Sequence, residues 1–245
     1  MNQDSIRFTI RGSISTYMLR MKEVRSRITV ILELAQTDFL AVNDIFRKCH
    51  ADADLHPAMA SRISDSIKFL QYMDTLTQKM NHIVALNQAL MEAEPLPLEG
   101  GTPDDDPVEF IFRLNYFQAL VAHNEFLSTI DTVKQLISEL NREYNLEKII
   151  CSSGRKAFHN LELEESNMNL LLLALHSIYT ERRDEHRNSI CQTSDVSTVA
   201  RVYTMNSERM VLDWLQTHPH DHASELLRIY SHTGFGQVEE QTEIF

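Results

Sequence analysis

The residues whose types and spacing could do chemistry lie together in the run Gln71-Tyr72-Met73-Asp74-Thr75-Leu76-Thr77-Gln78-Lys79-Met80-Asn81. At about 100° per residue of helix, Gln71, Asp74, Gln78 and Asn81 fall on one side. Asp74 and Gln78 are a single turn apart. A carboxylate only accepts hydrogen bonds, whereas an amide both donates and accepts them. Carried side by side on a long helix, the pair can reach into a partner's pocket. The plainer alternative is a solvated face, because polar residues are what an amphipathic helix shows to water.

The elements that would position these residues are helices. Phe69, Met73, Leu76, Met80 and Ile83 recur at spacings of four, three, four and three, which gives the opposite face of the same helix a packing stripe. That helix is expected from Pro57, with Asp54 or a neighbour as its cap, to about Glu94. Before it, Ile14, Tyr17, Met21, Val24, Ile28, Ile31 and Ala35 keep the same rhythm, continued by Val42 and Ile45. This is the seam of a long bundle helix. Residues 7–10 read either as a short extended piece or as the ragged start of that helix. The short connection Cys49–His56 should lay the two helices antiparallel.

The stretch from Glu94 to Pro107, with its prolines, paired glycines and three acids, reads as a linker or long crossover. A third helix should start at Asp106–Pro107 and bury Phe110, Leu114, Phe117, Val121, Leu127, Ile130, Val133, Ile137 and Leu140. It is expected to end near Tyr144 or a turn later, with Gly154 a firm stop. A fourth helix is expected from about Leu161 to Asn188, with Leu170–Leu175 deeply buried because that run is apolar nearly all round. A fifth, about Val196–Leu215, holds the single tryptophan, Trp214, and a short helix follows at about Ala223–Tyr230. The expected fold is all-α: a long antiparallel hairpin completed into a four- or five-helix bundle. The expected organisation is a hairpin over 1–94, an acidic linker over 95–106, further bundle helices over 107–230 and a flexible tail over 231–245.

The pattern Gln-x-x-Asp-x-x-x-Gln on a bundle helix resembles the active-site helix of the CheZ-type phosphatases of chemotaxis response regulators. The likeness covers about a dozen residues. It implies hydrolysis of an aspartyl phosphate on a CheY-like regulator in bacterial two-component signalling, with Asp74 and Gln78 as the catalytic pair. Gln78 would orient the attacking water and Asp74 would pair with a lysine of the regulator. Gln71 and Asn81 would be docking contacts. No cofactor of its own is implied, since the regulator supplies Mg2+. The family also ends in a short acidic, apolar segment that docks on the regulator. Val238, Glu239, Glu240, Glu243, Ile244 and Phe245 are similar in character, the alternative being a frayed end. Family members pair their hairpins into a dimeric bundle. This chain has helices enough for a bundle within one copy, so a homodimer stays open. The rival function is a non-enzymatic adaptor or scaffold offering the same polar helix face to a signalling partner.

Other constellations are weaker. Phe69-Leu70-x-x-x-Asp74-Thr75-x-x-Gln78 is echoed by Phe126-Leu127-x-x-x-Asp131-Thr132-x-x-Gln135, which makes Asp131 and Gln135 a reserve site. His218, His220 and His222 invite a metal reading but sit at a helix boundary, where capping by Asp221 with Ser224, or loop chemistry, is the better account. His82, His123 and His176 read as core or surface histidines, and no metal site is expected.

Composition bounds the rest. The 245 residues are 43% hydrophobic with 6 Gly and 6 Pro, which suits long helices around a core. A formal net charge of -12 argues against a nucleic-acid partner. No apolar run reaches membrane-spanning length and no signal sequence is evident, so a cytoplasmic protein is expected. Cys49, Cys151 and Cys191 are isolated and read as reduced thiols.

Overall fold

The seam predicted for the first helix is the one the chain buries. In the computed structural model, α1 runs Ser15–His50, and Tyr17, Met21, Val24, Ile28, Ile31, Ala35, Val42 and Ile45 are all buried along it. The structure describes residues 9–11, 15–50, 61, 63, 71–96, 107–144, 152–185, 200, 203, 205–218 and 223–232. The other described helices are α2 (Gln71–Met91), α3 (Pro107–Tyr144), α4 (Ser152–Glu185), α5 (Asn206–Thr217) and α6 (Ala223–His232). The fold is all-α. The start of the second helix at Pro57 and its Asp54 cap, the Asp106 cap, and the tail beyond His232 lie outside the described residues.

The four long helices pack side by side in the ring order α1, α4, α3, α2. Their directions follow from cross-helix pairs. Lys79 meets Glu125 and Asn115 meets Asn87, so α2 and α3 are antiparallel. Arg20 pairs with Glu181 while Asp38 meets Asn160, so α1 and α4 are antiparallel too. Phe117, Phe126, Leu76, Met80, Leu171 and Leu175 fill the space between them. Tyr17 tilts on Phe112 and Phe39 on Phe126, which fastens α1 to α3 with large aromatic burial.

Six expectations are corrected. Residues Thr9–Arg11 are extended, and they pair in parallel with Glu94–Leu96. The first residues of the supposed linker are therefore strand, and Pro95 is tolerated because a two-stranded ribbon consists only of edges. Gly154 does not end a helix: it lies in the first turn of α4, where helical N–H groups lack intrahelical partners in any case. The fourth helix accordingly starts at Ser152 rather than near Leu161. Leu170 and Leu173 are 47% and 66% exposed, while Leu171 and Leu175 are buried, because α4 packs on one side only. The expected fifth helix is interrupted, since Met205 is extended at φ -86, ψ 143 and α5 begins after it. Leu127 and Ile137 are half-buried rather than core.

Candidate functional site

Helix α2 presents the predicted stripe. Its buried side is Met73, Leu76, Met80 and Ile83, and this anchorage fixes the rotation of the helix about its axis. Asp74, Gln78 and Asn81 are consequently exposed. The side chain of Gln71 and the whole of 238–245 lie outside what the structure describes. The reserve pair, Asp131 and Gln135, is also exposed, on α3. The Gln135 amide donates to Glu139 one turn on, at 3.3 Å.

Between Gln78 and Asn81 the helix carries a residue whose placement sequence spacing does not reveal. Lys79 is buried, and its ammonium donates to both carboxylate oxygens of Glu125 at 2.6 Å. Withdrawing an ammonium from water is unfavourable unless a counter-charge meets it, and α3 supplies one. The Tyr72 hydroxyl donates to the Ala122 carbonyl at 2.7 Å. Farther along, the Asn115 amide donates to Asn87 at 2.9 Å in the interior. These polar ties pin α2 against α3 at three levels, beneath and beyond the exposed stripe.

One position past Asn81 the polar chemistry turns inward. His82 Nδ1 lies 2.7 Å from Oε1 of Glu208, a fully buried acid in the first turn of α5. Gln118 of α3 donates to the Glu208 carbonyl at 2.9 Å. The Tyr203 ring meets the His82 ring edge-on, with centroids 5.8 Å apart. Burial, reinforced by the Glu208 charge, pushes the Tyr203 phenol well above its ordinary range, so the phenol stays protonated. Arg113 donates to the His218 carbonyl, and the His218 ring stacks on Trp214 at 4.6 Å. Trp214 in turn tilts on Phe117. The result is an anchor for α5 on the α2–α3 pair. Reasoning from spacing missed it, since His82 and Glu208 are distant in the chain and neither lies in a motif.

His176 meets Tyr116 edge-on. His123 is half-buried, and burial lowers its basicity against the opposing pull of Glu165. His218 Nδ1 sits 2.9 Å from the Trp214 carbonyl at the end of α5; His220, His222 and Asp221, expected with Ser224 to cap the next helix, lie outside the described residues. Among the described residues no three acids, histidines or cysteines gather as a metal site would require. None of the described helices is long and apolar enough to cross a membrane.

No protein-family model, curated protein or solved structure matches the chain.

Proposed function

We propose that this chain promotes hydrolysis of an aspartyl phosphate on a CheY-like response regulator, with Gln78 and Asp74 as the acting residues. The observation that supports this is the exposure of Asp74, Gln78 and Asn81 in one line along α2. Immediately behind that line, α2 is held by the Lys79–Glu125 pair. A glutamine on a fixed helix can enter a partner's acidic pocket in a set orientation, which is what positioning catalysis requires.

In the proposed reaction the Gln78 amide accepts a hydrogen bond from a water and holds it in line with phosphorus. The water oxygen forms the new P–O bond as the bond to the aspartyl oxygen breaks. The carboxylate leaves with its electron pair, and the water proton ends on inorganic phosphate. A metal ion in the regulator would carry the developing charge on the phosphoryl oxygens. Asp74 pairs with a lysine of the regulator and fixes the docking. The segment Val238–Phe245 adds a second contact, and Gln71 and Asn81 border the first.

The test is phosphate release from a regulator loaded with acetyl phosphate, with binding followed in parallel. Gln78→Ala should abolish most of the acceleration while binding persists, because the amide acts mainly in the transition state. Asp74→Ala should weaken binding as well. A Gln78→Ala protein as fast as wild type sinks the assignment. If both substitutions change affinity alone and no phosphate release is ever seen, the chain is an adaptor.

A further inference from the structure

The tie between His82 and Glu208 is open on one side. The Glu208 side chain is wholly buried, whereas the His82 side chain is 16% exposed. His82 Nδ1 lies 2.7 Å from Glu208 Oε1. A carboxylate can only accept, so the ring proton sits on Nδ1 and Nε2 keeps its lone pair. That Nε2 makes no hydrogen bond among the described residues and is not buried, unlike the Nε2 of His123. The second Glu208 oxygen, Oε2, is buried without a partner among the described residues. The imidazole is therefore the one hydrogen-bond donor that the carboxylate finds among them.

We propose that His82 Nε2 is a phosphoryl acceptor, taking the group from an acyl phosphate. An imidazole fixed by a third group is a ready nucleophile. Its lone pair forms the N–P bond as the bond from phosphorus to the acyl oxygen breaks. The carboxylate leaves with its electron pair, and the Nδ1 proton stays between the ring and Glu208. The ring becomes cationic in that step. The new charge forms directly against a buried carboxylate, where attraction is stronger than in water. Groups suited to phosphoryl oxygens stand nearby. The exposed amides of Asn81 and Gln78 lie one residue and one turn back along α2, and both can donate. Arg209 is exposed beside Glu208, and its Nε donates to the Tyr203 carbonyl at 3.1 Å, which holds a guanidinium next to the residue that packs on His82. The choice of an acyl phosphate as donor rests on the function proposed above, which brings one to this side of α2. The geometry of the acceptor does not rest on it.

The experiment treats the full chain with acetyl phosphate alone and, separately, with phosphorylated regulator freed of small donor. Modified peptides are located by mass, under alkaline conditions that preserve phosphohistidine. His82 should carry the label about tenfold or more above any other of the 11 histidines. Labelling by acetyl phosphate only, or by the regulator only, identifies the donor and supports the proposal. No preference for His82 with either donor overturns it, while phosphate release from the regulator decides the phosphatase reading separately. In concentrated urea the preference should vanish. A preference that survives unfolding belongs to local sequence and overturns the role of Glu208. Glu208→Gln keeps an acceptor for Nδ1 but removes the charge, and should slow labelling about tenfold with helix content unchanged. Nitrogen NMR of wild type checks the positioning directly. The neutral His82 ring should be protonated at Nδ1, and a ring protonated at Nε2 overturns the proposal.

Discussion

The two sides of the ring use opposite solutions to the same problem. On the α2–α3 side, charges and amides are drawn inside and paired: Lys79 with Glu125, Asn115 with Asn87, His82 with Glu208, while Asn115 Oδ1 and Glu208 Oε2 find no partner among the described residues. The short helix α5 then covers part of that pair, with Trp214 and Leu215 buried. On the α1–α4 side no described element covers the outer surface, and Leu19, Leu34, Leu163, Leu170 and Leu173 are exposed. Buried polar pairs are strict about geometry, because a single lost partner leaves an unmatched group. Exposed leucines place no such demand on the isolated chain. The first side is therefore built for one arrangement.

That contrast can be broken most sharply at Lys79. Lys79→Ala should lower the unfolding free energy by about 3–5 kcal/mol, since Glu125 would remain largely buried without its counter-charge. Replacing both, as Lys79→Met with Glu125→Leu, should return much of that stability in a denaturant titration. A single variant as stable as wild type would show that the pair holds nothing.

An intermediate effect is expected where α1 meets α4. Burial raises the Glu164 carboxyl from 4.5 to about 7; a hydrogen bond from Asn167 opposes this and the nearby Asp38 charge adds to it. Asp38 is itself raised, chiefly by burial, against the Asn160 hydrogen bond and the Lys156 charge. The folded protein therefore binds a proton at Glu164 more tightly than the unfolded chain does. Its stabilising effect is complete below the ordinary carboxyl value and is lost as pH rises toward about 7. Glu164→Gln should flatten that slope and be more stable than wild type at about pH 8, on the order of 1–2 kcal/mol. Melting curves at mildly acidic and mildly basic pH check the sign, and a variant with an unchanged slope would clear Glu164 of the role.

The smallest effects belong to the two outer surfaces. Asp74→Ala and Leu173→Ser should each shift stability by no more than about 0.5 kcal/mol in a denaturant titration. A larger loss at Leu173 would place it in the core of one chain and remove the distinction drawn between the two sides.

Periodicity by itself determined the helices and their inner faces. The described members of the α1 and α2 stripes and most of that of α3 are buried as their spacing requires, because a helix of fixed pitch can bury only residues that recur with it; Ile14 and Phe69 lie outside the described residues. The same spacing put Asp74, Gln78 and Asn81 outside. Glycine and apolar runs were weaker guides. Gly154 is harmless in a first turn, and a run such as Leu170–Leu175 is apolar all round whether or not anything covers it. Only the tertiary structure decided which neighbour each helix took, and so which polar residues were matched. Lys79 sits in the polar part of its motif yet finds Glu125 on another helix. Glu208 is buried because His82 and Gln118 happen to meet it. Such partners are far apart in the chain, and their pairing depends on the rotation and register of whole helices, which no local spacing contains. The bare leucines of α1 and α4 have the same origin, since exposure is a property of the assembled ring.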